Sequence, residues 1–159
     1  MHKSSSVEMS GYTETGRLEF SKELVYVLIG IWILGLFAFG FIFLYLYSLF
    51  TGKEGGEFNI TPSSMILAIS LFASTCILHE LIHDFFFSLY GGKPRYGGGT
   101  YFILPYLYTT TKTIFPRNRL IIICIAPLLV ISIIGIFLMA AFPVIAHWIL
   151  VPLVVNASG

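Results

Sequence analysis

The sequence predicts an all-α membrane protein with three transmembrane helices, the start of a fourth, and a short β-hairpin in one loop. Hydrophobic residues occupy 57% of the 159 positions and charged residues only 11%, and the mean hydropathy is +0.88. Soluble domains contain about 45–50% apolar and about 25% charged residues, so the chain lies well outside that class. The net charge of +1 gives no indication of a nucleic-acid partner.

The first predicted span is the uncharged run 24–50. At about 1.5 Å per residue it is long enough to cross the roughly 30 Å of a bilayer's hydrocarbon core. The polar stretch 1–23 precedes it and is treated as a separate N-terminal segment. The remainder, 24–159, is short enough to be one membrane domain.

The second predicted span, 65–90, follows a loop of turn-forming residues in which Pro62 suits a helix start. The third, 120–142, contains Pro127, which is a candidate for a kink. The apolar stretch 144–155 is too short to span and predicts the start of a fourth helix. Because the sequence ends inside that segment, we expect the chain to be truncated at its C-terminus.

The connection between the second and third spans is long, basic and without acidic residues. By the positive-inside rule it is cytoplasmic, and the N-terminus is then on the same side, in what we expect to be a bacterial plasma membrane. Within it, Thr100 to Thr111 is aromatic and β-branched with Pro105 at its centre, which predicts a hairpin within 97–111. The hairpin either dips back to the helices or lies on the membrane surface as a loop.

Five residues in the second span, from His79 to His83, form the motif H-E-x-x-H. On a helix, positions i and i+4 lie about 40° apart on one face, so both imidazoles can reach one metal ion. Zn²⁺ binds imidazole nitrogen readily. Glu80 lies between the histidines and is placed to take a proton from a metal-bound water. His79 and His83 are therefore candidate metal ligands, and Glu80 is the candidate general base.

The apolar surroundings of the motif indicate that these polar residues form a functional site. Charged groups near the middle of a membrane cost about 2.5–3.5 kcal/mol each on insertion scales and usually mark functional sites. The alternative is a hydrogen-bonded polar cluster without a metal. Asp84 lies about 140° around the helix from His79 and is a poor ligand. It could instead pair with a lysine or arginine, or orient a histidine ring.

Several other pieces accompany the motif: Gly91-Gly92-Lys93-Pro94, Tyr106 to Thr111, Ala126-Pro127-Leu128 and, near the end, Asn156 with Ser158-Gly159. Together with the motif, this arrangement resembles the site-2-protease class of intramembrane zinc metalloproteases. It is more closely similar to a family of small bacterial membrane proteins known as zincin peptidases, which is related to that class. The resemblance covers about residues 65–159.

The resemblance implies an intramembrane zinc metallopeptidase that hydrolyses peptide bonds of membrane-embedded or membrane-proximal substrates. His79 and His83 would bind zinc, Glu80 would be the general base, and Asn156 would be a polar residue of the active site. In that class an aspartate on a later helix supplies a third ligand. No acidic residue follows Asp84 in this sequence, so we expect that ligand beyond Gly159.

A substrate helix hides its peptide bonds in its own hydrogen bonds and must be unwound before cleavage. A strand edge at Thr100, Tyr101 and Phe102 could hold it extended by β-addition. The expected partners are therefore the bilayer and a membrane-protein or peptide substrate. Two other functions stay open, a metal-binding transporter component and a pseudo-protease with a vestigial site, since histidines inside membranes also mark ion paths.

Overall fold

The computed structural model describes residues 21–53, 59–101 and 104–158, which form four helices and one β-hairpin. In chain order they are α1 (Lys22–Thr51), α2 (Pro62–Leu89), β1 (Arg95–Tyr101), β2 (Leu104–Thr110), α3 (Arg117–Ala141) and α4 (Ala146–Ser158). Helices α1, α2 and α3 are each long and apolar enough to cross a membrane, and α4 is a shorter apolar helix. The predicted fold class is confirmed, while residues 1–20 of the predicted N-terminal segment lie outside the described residues.

The helices begin slightly before the predicted spans, because polar capping residues precede the apolar runs. Helix α1 starts after Ser21, whose side chain accepts a hydrogen bond from the Leu24 N–H at 3.2 Å. Helix α2 starts at Pro62 behind a capping box, in which Thr61 and Ser64 each bond the other's backbone N–H. These caps satisfy N–H groups that have no partner within a helix.

The predicted hairpin is present and starts two residues earlier than expected. Strands β1 and β2 are antiparallel, with Arg95 opposite Thr110 and Tyr101 opposite Leu104. Strand β2 packs against α2, and the Thr109 hydroxyl donates to the backbone carbonyl of Glu80 at 3.3 Å. The hairpin is thus attached directly to the helix that carries the H-E-x-x-H motif.

Helix α4 lies among the three long helices and contacts all of them. It starts at Ala146, after a turn at 143–145 rather than at position 144 as expected. Its buried residues recur at helical spacing: Ala146, Ile149, Pro152, Leu153 and Ala157. They form the core together with buried residues of α1, α2 and α3, so the last turn of α4 is held beside α2 and α3.

Two glycines allow α4 to come close to its neighbours. A side chain at the buried Gly135 of α3 would place its Cβ 2.3 Å from the Leu153 side chain, and one at Gly35 of α1 would come 3.2 Å from the Ser158 backbone. Real Cβ atoms are not found at the first of these distances, so α3 and α4 pack at this spacing only with glycine at position 135.

We expect Gly135→Ala to lower the thermal unfolding midpoint of the purified protein in detergent. The added methyl group must displace the buried Leu153 side chain, and overpacking of this kind costs about 1–3 kcal/mol.

Gly30→Ala is the matched control, because a Cβ at Gly30 meets nothing within 4 Å. It should keep or raise the midpoint, since alanine is the better helix former. Equal midpoints for the two variants would contradict the packing described for α3 and α4.

Candidate metal centre

The two histidines of the motif face each other on one side of α2. The distance between Nε2 of His79 and Nε2 of His83 is 3.2 Å. Their ring centroids are 4.8 Å apart, and the rings are inclined at 72°. Both side chains are half-buried. The i, i+4 spacing on a continuous helix is therefore sufficient to bring two ring nitrogens to one point.

The distance between these nitrogens fits a shared zinc ion. Two nitrogens bound to one tetrahedral Zn²⁺ at about 2.0–2.1 Å lie about 3.3–3.4 Å apart. The separation of 3.2 Å between His79 and His83 is close to that value. Two neutral imidazoles can make this contact themselves only if one of them donates a proton, whereas a metal ion accepts the lone pair of each. The donor set thus suits zinc.

Asn156, near the end of α4, connects this pair to α3. Its Oδ1 lies 2.8 Å from Nδ1 of His79, and its Nδ2 donates to the backbone carbonyl of Pro127 at 3.4 Å. The resemblance implied that Asn156 is a polar residue of the active site, and the structure brings its side chain into contact with that of His79. One amide therefore joins α2, α3 and α4 next to the motif.

His83 is enclosed by aromatic rings and by the backbone of α3. Its ring stacks on Phe87 at 6.2 Å, and Phe87 stacks on Phe115 at 5.7 Å. Its Nδ1 is buried and has no hydrogen-bond partner among the described residues. The backbone of Ile123 interacts electrostatically with the same ring. The inner side of this imidazole is thus shielded from solvent and turned toward α3.

Glu80 lies on the side of α2 that faces the hairpin. Its side chain is half-buried and lines a small apolar cavity of about 110 Å³ between α2 and the hairpin. The other lining residues come from both elements: Ile77, Leu81, Tyr96, Gly97, Leu107 and Tyr108. A side chain of another molecule that entered this cavity would lie directly beside the Glu80 carboxylate.

Asp84, one turn after Glu80, also faces the hairpin. Its carboxylate interacts with the phenol of Tyr96 in β1, a partner that the sequence did not indicate. Partial desolvation, hydrogen bonding to Asp84 and the charge of Asp84 together raise the pKa of Tyr96 above its ordinary value. The phenol therefore remains protonated at neutral pH and acts as the donor. With the Thr109 bond, this contact attaches the hairpin to α2 at two successive turns.

Two of the three residues predicted as a substrate-binding edge lie at the turn end of the hairpin. Thr100 and Tyr101 end β1, opposite Pro105 and Leu104, and Phe102 lies outside the described residues. Thr100 is four residues beyond Tyr96, or about 13 Å along the strand at about 3.3 Å per residue. The strand residues next to the motif are thus those at the base of the hairpin.

The described residues provide two histidines here without a third ligand of the usual kind. Within residues 21–53, 59–101 and 104–158, no group of three or more His, Cys, Asp or Glu side chains is placed to hold one metal ion. His147 lies in the first turn of α4, nine residues before Asn156.

Sequence reasoning missed Thr109, Tyr96 and the carbonyls of α3. The register of a hairpin against a helix depends on tertiary packing, so no local pattern points to Thr109 or Tyr96. Pro127 was considered only as a source of a kink. The rule that a proline cannot bond the carbonyl four residues earlier would have singled out Ile123.

The model of a protein family described as "Putative zincin peptidase" matches residues 72–159. The chain belongs to that family. The matched region contains the H-E-x-x-H motif, the hairpin, α3 and α4. No curated protein and no solved structure matches the chain. Membership of the zincin-peptidase family implies a zinc metallopeptidase, and the three apolar helices indicate a membrane protein.

We expect Tyr96→Phe to loosen the attachment of the hairpin to α2. The variant loses the phenol that interacts with Asp84, so amide hydrogen exchange in β1 should accelerate.

Tyr26→Phe is the matched control, since Tyr26 is an exposed tyrosine on α1. Asp84→Asn added to Tyr96→Phe should produce little further acceleration, because both changes remove the same contact. Additive effects of the two substitutions would show that Asp84 and Tyr96 act independently.

Proposed function

We propose that this protein is an intramembrane zinc metallopeptidase that hydrolyses peptide bonds in membrane-embedded or membrane-proximal substrates. His79 and His83 would hold the zinc ion. The observation that carries the proposal is the pair of Nε2 atoms 3.2 Å apart in a chain of the zincin-peptidase family. A relationship to the site-2-protease class accords with the apolar helix that carries the motif, and is part of the same proposal.

Zinc, when bound, lowers the pKa of its water toward about 7 and polarises a peptide carbonyl. Catalytic zinc sites generally have three protein ligands, and the described residues bring two to this point. We therefore propose that the third ligand lies outside the described residues. The two histidines would supply two of the ligands through their Nε2 atoms.

Glu80 is proposed as the general base. It takes the proton of the attacking water and delivers it to the leaving amine, the two proton transfers that peptide hydrolysis requires. Glu80 lies next to His79 in the chain and about one turn before His83 on the same helix. The half-buried side chain and the apolar cavity walls restrict the water around it, which strengthens its interaction with a nearby cation.

The depth of the motif supports cleavage within the membrane. His79 lies about 25 Å from Pro62 along α2, at about 1.5 Å per residue, and α2 is a candidate membrane span of 28 residues. The end of α2 leads into a connection that carries Lys93, Arg95 and Lys112. We propose that this end, the hairpin and the N-terminus are cytoplasmic, and that water reaches the site from this side near Gly91.

The hairpin is proposed to hold the substrate in an extended form. A two-stranded sheet keeps free edges along which a third strand can add by main-chain hydrogen bonds. Thr100, Tyr101 and Phe102 would contribute to this edge at the turn end. A peptide lying along the sheet toward its base could place one apolar side chain in the cavity beside Glu80. The proposed substrate is therefore a membrane-protein segment with an apolar residue next to the cleaved bond.

The second candidate function is a non-catalytic metal-binding membrane protein, such as a transporter component or a pseudo-protease. One observation favours it, namely that the described residues supply two metal-binding side chains rather than three. The two functions differ in what they require of Glu80. A peptidase needs its carboxylate for proton transfer, whereas a metal carrier with histidine ligands does not.

We expect Glu80→Gln to keep zinc and to lose peptidase activity. The amide cannot accept the proton of the attacking water, and removing a general base typically lowers kcat by about 10²- to 10⁴-fold. Metal content per protein is measured by mass spectrometry, and cleavage is measured with apolar model peptides reconstituted in vesicles.

His79→Ala and His83→Ala should each lose zinc, whereas His147→Ala, a change at the far end of α4, should retain it. Zinc content that is unaffected by both motif variants would exclude the metal site. Full cleavage by Glu80→Gln would exclude the general-base role, whereas a zinc-binding wild type that cleaves none of the peptides would favour the non-catalytic function.

We also expect Leu107→Ala to change which residue is preferred next to the cleaved bond. The substitution enlarges the cavity beside Glu80, so peptides with bulkier apolar side chains should gain in kcat/KM relative to smaller ones. One methylene group in such a cavity changes the binding free energy of the transition state by about 1–3 kcal/mol.

Thr100→Pro serves as the comparison, because it alters the strand edge without changing the cavity wall. It should lower the cleavage of all peptides together. An unchanged preference in Leu107→Ala would place the substrate side chain elsewhere, and undiminished cleavage by Thr100→Pro would argue against strand addition at that edge.

A further inference from the structure

Pro127 leaves one backbone carbonyl of α3 without its usual helical partner. A proline has no N–H, so residue 127 cannot donate to the carbonyl of Ile123, four residues earlier. Both residues are fully buried. An unpaired carbonyl in such a place is unfavourable and needs a donor from another element. A neighbouring helix must therefore supply that donor.

His83 is the candidate donor to this carbonyl. Its Nδ1 is buried and has no other hydrogen-bond partner among the described residues, and the backbone of Ile123 interacts electrostatically with the same ring. A carbonyl only accepts, so the favourable state of His83 carries its proton on Nδ1. Its Nε2 then has a free lone pair, and this is the atom that points to His79.

The carbonyl of Pro127 itself acts on the other histidine through Asn156. The amide Nδ2 of Asn156 donates to the Pro127 carbonyl at 3.4 Å, so its Oδ1 is the atom that lies 2.8 Å from Nδ1 of His79. Because Oδ1 only accepts, Nδ1 of His79 must be the donor. The lone pair of His79 is then also on Nε2.

We propose that the backbone of α3 around Pro127 sets the tautomers of both histidines. The Ile123 carbonyl acts directly on His83, and the Pro127 carbonyl acts on His79 through the Asn156 amide. Both Nε2 lone pairs would thereby be available to a zinc ion. Asn156 and Pro127 are positioning residues in this scheme, and the inference rests on the proposed zinc site.

A purely structural role for these residues predicts different behaviour. Asn156 could serve only to hold α4 against α2 and α3, and Pro127 could serve only to shape α3. In that case, substitutions would lower stability but leave the position of the histidine protons unchanged. The tautomer of His79 and the affinity for zinc therefore separate the two roles.

The experiment compares Asn156→Leu with Asn156→Asp in the full chain. Aspartate retains an oxygen acceptor for His79, whereas leucine has none. We expect Asn156→Leu to weaken zinc binding by about 10- to 100-fold, the usual effect of removing a group that orients a metal-binding histidine. Asn156→Asp should bind zinc at least as tightly as the wild type. Zinc affinity is measured by competition with a chelator, and Ser158→Ala, two residues further along α4, is the control.

Nitrogen-15 NMR of labelled histidines gives a readout that does not depend on activity. In the metal-free wild type, His79 should carry its proton on Nδ1, and Asn156→Leu should lose that preference. If Asn156→Leu retains both the tautomer and the wild-type affinity, the inference is wrong. A wild type that binds no zinc would contradict the proposed function, while the His79 tautomer would still decide whether Asn156 orients this ring.

Pro127→Ala tests the second half of the proposal. Alanine restores an N–H for the Ile123 carbonyl, so His83 should lose its acceptor and zinc affinity should fall by about tenfold or more. Pro152→Ala, which changes the proline inside α4, should leave the affinity unchanged. A folded Pro127→Ala with wild-type affinity would overturn this half. If Pro127→Ala does not fold, Ile123 can still be tested through the His83 NMR signals, which should show a protonated Nδ1 in the wild type.

Discussion

The contact between His79 and Asn156 is the interaction on which the arrangement of this protein depends. It joins the helix that carries the motif to the short helix α4, and the Asn156 bond to Pro127 extends the connection to α3. A polar contact among apolar helices has no competing water, so it is both costly to leave unmade and specific when made. The close packing at Gly135 and the buried stripe of α4 bring Asn156 to that point.

The same constraint explains why the backbone of α3 takes part in the site. In water, the carbonyl released by a proline would bond to solvent. In the buried part of an apolar bundle this carbonyl must accept a hydrogen bond from a side chain. A histidine that binds a metal through one ring nitrogen can donate from the other. A helix-breaking residue thus supplies polar groups without introducing a further charged side chain, which would be costly at this depth.

Most of the fold could be predicted from the sequence, because the membrane spans follow from its apolar composition. Apolar runs of membrane length predict the spans of α1, α2 and α3 to within a few residues, and the earlier start of α2 arises from the polar capping box of Thr61 and Ser64. The i, i+4 spacing predicted that His79 and His83 lie on the same face of α2. The contacts of Thr109 and Tyr96 with α2 could not be predicted, because they depend on the angle and register at which a hairpin lies on a helix. The partner of Asp84 was missed for the same reason.

The candidate site therefore consists of two parts, the metal centre and the hairpin, which are held in place in different ways. The histidines and Asn156 stand on helices whose packing fixes them, which is what a metal site requires, since small displacements of ligands weaken binding. The hairpin is attached to α2 mainly through side chains at its base, Thr109 and Tyr96, and its turn end extends beyond them. The two attachments of the hairpin lie at Glu80 and Asp84 of α2. A movement of the hairpin would therefore displace the proposed general base first. Substrate binding at the hairpin would thereby be coupled to the position of the Glu80 carboxylate.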